Sequence, residues 1–522
     1  MRVGELEGQV AALSEKLATL AKLAFGASSE KKKKSPAGSA AAGAGGPGGS
    51  GRRRRGQQPG SRGHGRRDYS GLETTEEIHD VPEQERVCPG CGTGYVPFGE
   101  ETSGQIDWRV QITRVVHRRP TYRRSCRCPV RGVLVAPPPP KPIGKGMFTS
   151  GFLARLLVEK YVLGRPMCRI VAALGNDGLE VAEGTLVGAL KALSGLLAPL
   201  DAAIRARNAA AGHLHVDETS WSVFETVAGK ANHRWWLWVF AGADTTMFSI
   251  ERSRSTKVLT EHLGIDLAAG SLPAGRRLLV SSDFFTVYQA LARVDGVDPL
   301  WCWAHIRRYF IRAGDAHPQL AGWTQTWLER IGALYAAHRA LPACGPGSAG
   351  HARAEQGFAA ALSGMDVARR AEAADQGLHP AARKVLATVE HEWAGLARHQ
   401  QFLELPLDNN TAERALRNPV VGRKNYYGSG SVWAAELAGR AWTITATATR
   451  AGCNPLAYLG AYLHACAAAG GKAPGGGELS RFLPWAADAA DLATWRGAPG
   501  APDAPDAPGG PGAPGAPGGP SP

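Results

Sequence analysis

The chain has 522 residues and a formal net charge of +14 at pH 7, enough length for several domains and a sizeable hydrophobic core. Eleven lysines and arginines lie in residues 31–67, which contain no acidic residue, so a basic segment is attached to a nearly neutral remainder. No run of 18 apolar residues and no apolar signal-peptide core occurs, so we expect no membrane partner and a cytoplasmic location.

The N-terminal part of the chain predicts a helix followed by a flexible basic segment. In residues 1–26 apolar side chains recur in alternating steps of four and three, the rhythm of a coiled coil. This helix either forms a short zipper between copies of the chain or docks on its own chain. Residues 27–67 are rich in Gly, Ala, Pro and Ser, so we expect them to be disordered. Their arginines suit binding to DNA phosphates, and a solubilising linker is the alternative; the cluster is Arg52, Arg53, Arg54 and Arg55.

Cysteine spacing in residues 76–136 predicts a small zinc-binding element. A Cys-x-x-Cys pair and a later Cys-x-Cys pair supply four thiolates, the ligand set of structural Zn²⁺: Cys88, Cys91, Cys126 and Cys128. Because the second pair is tighter than usual, His117 or His79 is an alternative ligand. Unligated buried cysteines are the other interpretation. Nine cysteines with four clustered here favour a reducing compartment and a metal over disulfides.

The middle of the chain has the pattern of a mixed α/β domain. A helical region covers residues 150–208, and strand-like segments follow at residues 213–224, 234–241 and 247–251. After a helix, the segment 277–283 reads as another buried strand. Three antiparallel-looking strands, a helix and a further strand indicate a mixed sheet.

A short helix is predicted to begin at Asp408, a good N-cap, and to end before Pro419, which cannot continue it. One face of this helix combines an amide, a carboxylate and a guanidinium group: Asn410, Glu413 and Arg417. The opposite face is apolar. A solvated polar face with ordinary charges is the alternative interpretation.

Two further segments offer basic groups for phosphates. Residues 422–430 are predicted to form a glycine-rich loop, in which Arg423 and Lys424 suit DNA contacts. A helix predicted over residues 300–310 carries His305 and Arg308 on one side. His305 could contact a phosphate or a catalytic water, and a structural histidine is the alternative.

Three acidic residues occupy comparable positions in these elements. Asp217 lies within the first predicted strand, Asp283 ends the fourth and Glu413 lies on the short helix. If the two strands are neighbours, the two aspartates converge. Carboxylate oxygens are the ligands that Mg²⁺ prefers, and two such ions support phosphodiester displacement. The order of strand, strand and helix favours a catalytic site over surface salt-bridge partners.

The ordered motifs of the chain resemble those of DDE transposases of the insertion sequence 66 family, over about residues 5–487. They include the cysteine element and then, in order, His215-Val-Asp-Glu-Thr-Ser-Trp221, Ser282-Asp-Phe-Phe-Thr-Val-Tyr288, Cys302-Trp-Ala-His-Ile-Arg-Arg308, Asn409-Asn-Thr-Ala-Glu-Arg-Ala-Leu-Arg417, Gly422-Arg-Lys-Asn425 and Phe482-Leu-Pro-Trp485. Phe284 stands where the family commonly has glycine, which changes the loop but keeps the acid.

The resemblance implies an α/β fold with an RNase H-like catalytic core at residues 209–450, interrupted by a helical insertion at about 317–402. A helical segment at 451–490 and a disordered Gly/Ala/Pro tail at 497–522 would follow. The implied DDE triad is Asp217, Asp283 and Glu413, which would hold two Mg²⁺ or Mn²⁺ ions, with Asn410 in support.

By the same resemblance, the protein would bind the terminal inverted repeats of an insertion sequence, cleave DNA and transfer the strand to target DNA. The N-terminal helix, basic linker and zinc element would recognise the repeats and help a homo-oligomer to form in a bacterial cytoplasm, on the nucleoid when DNA is bound. Small accessory proteins of the same element are possible partners. The alternatives are a catalytically silent DNA-binding regulator of transposition and an RNase H-like nuclease without strand transfer.

Overall fold

A computed structural model of the chain describes residues 76–496, apart from residues 77, 87, 98–99, 104, 107–109, 124, 126, 128–130, 132, 231, 343–344 and 346. The predicted coiled-coil helix (1–26), the basic linker with Arg52 to Arg55 and the C-terminal tail (497–522) lie outside the described residues, as do Cys126 and Cys128. The chain divides into two compact units, residues 1–108 and residues 109–522.

In the first unit, the described residues include a 3₁₀ turn, Glu83–Glu85, followed by a tight cysteine turn. The Cys88 N–H donates to the Thr93 carbonyl and the Gly92 N–H donates to the Cys88 carbonyl, both over 2.8 Å. Hydrogen bonds with Thr93 lower the pKa of the Cys91 thiol. Cys88 and Cys91 therefore lie on one tight turn.

The second unit begins with an antiparallel pair of short strands, β1 (Thr121–Arg123) and β2 (Val133–Val135). Three helices follow. They are α1 (Ser150–Leu157), which continues into a π-helical turn at Val158–Val162, then α2 (Met167–Asn176) and α3 (Glu183–Ala209).

Among the described residues, α3 is the one helix long and apolar enough to cross a membrane by length and composition. Its leucines Leu186, Leu193 and Leu197 are fully buried in the protein core. Its acidic residue Asp201 forms an ion pair with Arg205 over 2.6 Å. The apolar length of α3 is thus used for packing within this fold.

The central sheet has five strands, in the spatial order β5-β4-β3-β6-β7. They are β3 (His213–Ser222), β4 (Arg234–Ala241), β5 (Thr246–Glu251), β6 (Leu278–Ser282) and β7 (Val297–Trp301). Strands β3, β4 and β5 are antiparallel neighbours, whereas β6 runs parallel to β3, and β7 runs parallel to β6. The predicted mixed α/β sheet is confirmed, including the pairing of the strands associated with Asp217 and Asp283.

Helices connect and cover this sheet. Helix α4 (Thr256–Leu263) precedes β6, and α5 (Thr286–Leu291) lies between β6 and β7. The remaining helices are α6 (Trp303–Ala316), α7 (Ala321–Ala340), α8 (Ala349–Ala374), α9 (Pro380–Ala397), α10 (Asn410–Tyr426), α11 (Val432–Arg450), α12 (Pro455–Ala468), α13 (Gly476–Ser480) and α14 (Ala489–Arg496). Helices α7, α8 and α9 account for the helical pattern at residues 317–402.

The sheet separates two hydrophobic clusters, and strand alternation decides which residue faces which cluster. Leu214 and Val216 of β3 pack with helices α4 to α9. Trp221 and Val223 pack on the other side with α1 to α3 and α10 to α12. We call these the α6 side and the α10 side of the sheet.

The sequence analysis missed one strand and placed the start of one helix wrongly. Strand β7 was not predicted, and the helix expected to begin at Leu300 begins at Trp303, because Leu300 and Trp301 end that buried strand. An apolar run of this length does not distinguish a strand from the start of a helix.

Helix α10 also continues through Pro419 to Tyr426, so Arg423 and Lys424 lie on a helix and not in a loop. Proline removes one backbone hydrogen bond, but contacts to the rest of the protein hold the following turns. Asn418 donates to the Tyr161 carbonyl over 3.2 Å, and Asn425 donates to the Gly164 carbonyl over 2.9 Å. Gly422 allows helix α10 to pack closely against the segment around Gly164. A Cβ added to Gly164 would lie 3.4 Å from the Gly422 Cα.

Candidate carboxylate site

The parallel pairing of β3 and β6 places Asp217 and Asp283, the two predicted aspartates, at corresponding positions along the two strands. In the observed register His213 lies opposite Leu279, and His215 lies opposite Ser281. Two residues further along each chain come Asp217 and Asp283. Val216 and Val280 face the α6 side. Because side chains alternate along a strand, Asp217, one residue after Val216, and Asp283, three residues after Val280, are directed toward the α10 side. The two strands are neighbours, which is the condition that the sequence analysis set for convergence of the aspartates.

Asn409, which the sequence analysis did not select as a site residue, holds helix α10 against these strands. Asn409 is buried; its side-chain amide donates to the Val216 carbonyl over 2.8 Å, and its side-chain oxygen lies 3.2 Å from His215 Nδ1. Its backbone N–H donates to Cys302 Sγ over 3.2 Å. Because Asn409 immediately precedes the helix, these bonds set where the first turn begins.

That first turn carries Glu413. The Asp408 carboxylate accepts from the Asn410 N–H over 3.1 Å, so Asp408 caps the turn while Asn409 occupies the N-cap position. Ala412 and Leu416 are buried against the sheet, as the predicted apolar face requires. Glu413 is held on the same segment that Asn409 attaches to β3, and Asn410 is half-buried beside it.

Electrostatics show that the three acids influence one another. Burial raises the pKa of Asp217 to about 8, and repulsion from Glu218, Asp283 and Glu413 contributes, against a lowering hydrogen bond from the Glu218 N–H. Like charges raise a carboxyl pKa when they lie within a few ångströms of it. Asp217 therefore keeps its proton at pH 7, and a cation bound among the acids would favour its ionised form.

Arg308, on helix α6, forms an ion pair with Glu413. Arg308 Nη2 donates to both oxygens of Glu413, over 3.0 and 3.1 Å. Arg308 Nη1 lies 3.2 Å from His305 Nε2, and the His305 Nδ1 atom is buried without a hydrogen-bond partner. Burial, followed by the charge of Arg308, lowers the pKa of His305, so its ring is neutral at pH 7. Phe284 packs edge-on against this ring at 6.3 Å.

A fourth carboxylate, which the sequence analysis missed, lies on the opposite side of β3. Glu218 accepts a short hydrogen bond from the Tyr288 hydroxyl and one of 2.6 Å from Arg254 Nε. Its side chain is only 1% exposed. Its position next to Asp217 could have revealed it, because an acid on the buried face of a strand requires a partner.

The predicted DNA-contacting residues have different surroundings. Arg417 and Lys424 are exposed on α10. Arg423 turns inward, where it donates to Thr219 Oγ1 over 3.0 Å and to the Ser220 carbonyl, and so ties α10 to β3. Of the cysteine set, only Cys88 and Cys91 belong to the described residues.

The chemistry of the carboxylate group suits a hard divalent ion, since three acids offer oxygen ligands. No three His, Cys, Asp or Glu side chains among the described residues lie close enough together to hold a metal ion. Glu413 is paired with Arg308 instead. The donors fit in kind, and their assembly around an ion would require Glu413 to change partner.

Comparison with known proteins identifies the family. A family model described as "Transposase IS66 family" matches residues 145–437, which include β3, β6, α6 and α10. The chain belongs to the IS66 transposase family. The family resemblance predicted from the ordered motifs is thereby confirmed.

Curated relatives extend the similarity beyond that region. The uncharacterized protein y4qI of Sinorhizobium fredii (strain NBRC 101917 / NGR234) is 28% identical over 428 residues, which cover 78% of this chain and 75% of that protein. The uncharacterized protein y4jD of the same strain is 25% identical over 421 residues, covering 78% of this chain and 79% of that protein. The similarity to these relatives includes residues on one or both sides of the 145–437 region.

Proposed function

We propose that this IS66-family chain is a DDE transposase whose catalytic acids are Asp217, Asp283 and Glu413. The observation that carries the proposal is the level placement of the two aspartates on adjacent parallel strands, on the side where Asn409 holds the Glu413 turn. The sheet, with three antiparallel strands followed by two parallel ones, supports an RNase H-like core. The helices between β7 and α10 would then be its insertion.

In this proposal the three carboxylates would hold two Mg²⁺ or Mn²⁺ ions. Such ions, when bound, activate an attacking oxygen and stabilise the leaving oxygen of a phosphodiester. The chain's own residues position the DNA: Arg417 and Lys424 are exposed cations on the helix that carries Glu413 and suit phosphate oxygens. Neutral His305 offers an imidazole beside the same acid.

The remaining predictions stay part of the proposal. The N-terminal helix, the basic linker with Arg52 to Arg55 and a Zn²⁺ element built on Cys88 and Cys91 would recognise the terminal inverted repeats and support a homo-oligomer. Target DNA and small accessory proteins would be the other partners, in a bacterial cytoplasm. The turn that presents Cys88 and Cys91, with its lowered Cys91 pKa, supports the metal part of this proposal.

The test begins with the DNA that flanks the reading frame, which should contain imperfect inverted repeats and a short target duplication. Labelled duplexes ending in those repeats are incubated with the full chain and Mg²⁺. We expect strand cleavage that leaves a 3′-hydroxyl, followed by joined products with target DNA, and loss of both with EDTA. Cleavage without joining would indicate a nuclease, and binding without cleavage would indicate a regulator.

Deletion of residues 1–130 tests the recognition part separately. We expect this variant to lose preference for end DNA over unrelated duplex in a competition binding assay at fixed salt. Preference retained by the truncated chain would place recognition in the helical region α1 to α3 instead.

A further inference from the structure

The ion pair between Arg308 and Glu413 conflicts with the metal-binding role proposed for Glu413. Both carboxylate oxygens accept from one guanidinium nitrogen, over 3.0 and 3.1 Å. The two side chains are about one-third exposed, at 35% and 29%, so water weakens the pair without removing it. A divalent ion bound by Glu413 would lie against this guanidinium and be repelled by it.

Arg308 is the cation that pairs with Glu413 beside the other two acids. Asp217 and Asp283 follow adjacent parallel strands at the same level, and Asn409 holds the turn that carries Glu413 against β3. The described ion pairs include one with Glu413 but none with Asp217 or Asp283. Arg308 therefore supplies positive charge to Glu413, the one acid of the three that lies on a helix.

We infer that Arg308 is a positioning residue that occupies Glu413 in the ion-free state and exchanges with the divalent cation when the site is loaded. This inference rests on the proposed DDE function. Neutral His305, 3.2 Å from Arg308 Nη1, orients the guanidinium toward Glu413. Once displaced from Glu413, the guanidinium can donate to a DNA phosphate, which offers paired acceptor oxygens as a carboxylate does.

The exchange makes ion loading and DNA binding favour each other. Without DNA, an entering cation must break the Arg308–Glu413 pair. With a phosphate present to receive Arg308, that cost falls, so the chain binds the ion more tightly when DNA is bound. Loading of the site thereby depends on the substrate.

Binding of Mn²⁺ alone to the full chain tests this inference, measured from the electron paramagnetic resonance signal of the free ion. We expect Arg308→Gln to bind Mn²⁺ roughly tenfold more tightly than the wild type, within the range of typical coupling between sites. Arg308→Lys should give a smaller gain, because lysine keeps the charge but has no second nitrogen for the contact that Arg308 Nη1 makes with His305. Arg312→Gln, one turn along α6, is the matched control for lost positive charge and should change the affinity less than twofold.

Thermal unfolding supplies a second readout that a purely structural role would not move. We expect Arg308→Gln to melt below the wild type in EDTA and to gain more than the wild type on addition of Mn²⁺. A variant that has merely lost packing would melt lower in both conditions by the same amount. If Arg308→Gln does not fold, the same comparison is made with Arg308→Lys.

Glu413→Gln separates failure of the inference from failure of the proposed function. If Mn²⁺ binding by the wild type is unchanged in Glu413→Gln, the carboxylate site itself is refuted. If Glu413→Gln loses binding but the wild type and both Arg308 variants bind Mn²⁺ equally, the site stands and the exchange is refuted. Tighter binding by the Arg308 variants that disappears when Glu413→Gln is added supports both.

Discussion

Asp217 and Glu218 are consecutive on β3, yet their carboxylates lie on opposite sides of the sheet and in opposite surroundings. On the α6 side, Glu218 has the Tyr288 hydroxyl and the Arg254 guanidinium as permanent partners. On the α10 side, Asp217 accepts only a neighbouring backbone N–H and lies near two further acids. The same strand therefore presents one acid with two donor side chains and one acid that lies near other acids.

This difference separates an acid that holds the fold together from acids that are suited to a ligand. Burial raises the pKa of Glu218 as well, but its two donors offset part of that cost, and removal of its charge would leave the Arg254 guanidinium without this partner. Grouping carboxylates without such donors costs stability. A protein tolerates such a cost at a functional site. The comparison predicts effects of opposite sign for conservative substitutions at the two neighbouring positions.

The largest stability effect is expected at Glu218. Glu218→Gln keeps the shape but removes the charge that Arg254 and Tyr288 contact, so we expect unfolding to become easier by about 2–3 kcal/mol. Urea unfolding followed by circular dichroism measures this change. A loss below about 0.5 kcal/mol would mean that the network contributes little and would break the contrast between the two sides.

Asp217→Asn should act in the other direction. The raised pKa of Asp217 shows that the folded protein disfavours the ionised form of this buried carboxyl, so an amide, which needs no proton at pH 7, should raise the free energy of unfolding by about 1–2 kcal/mol in metal-free buffer. The same urea experiment measures it, with Asp244→Asn, an exposed acid paired with Arg207, as the control for loss of a surface charge. A destabilised Asp217→Asn variant would show that Asp217 is structural, as Glu218 is.

A smaller effect is expected where α10 ends. Tyr427 is the one non-glycine residue with positive φ (65°) among the described residues, and its side chain is 74% exposed. Tyr427→Gly should stabilise the protein by about 1 kcal/mol, since glycine adopts this backbone conformation without a steric cost. A shift in the urea midpoint checks it. Destabilisation would show that the tyrosine ring contributes contacts that outweigh its backbone strain.

Much of the site followed from the sequence because its parts are local. Alternation and apolar runs located β3 to β6, and the order of strand, strand and helix singled out Asp217, Asp283 and Glu413. The family resemblance was also readable from short motifs in order. These signals depend on the few residues around each acid.

What the sequence did not predict depends on contacts between distant segments. The pairing of Arg308 with Glu413 joins residues 105 positions apart, and Asn409 reaches 193 positions back to Val216. The continuation of α10 past Pro419 likewise depends on Asn418 and Asn425 reaching the segment around Gly164. Local propensity favours termination at that proline, and tertiary contacts overrode it.

Cleavage of end DNA by Glu413→Gln in Mg²⁺ tests the central claim most directly. The substitution is isosteric, and the helix it lies on is held by Asn409 and Arg423, so the fold and end binding should be retained. We expect the rate of strand cleavage to fall by at least about 10²–10³-fold, as when a transition-state-stabilising group is removed. Cleavage at the wild-type rate by a folded Glu413→Gln variant would contradict the assignment of the three acids.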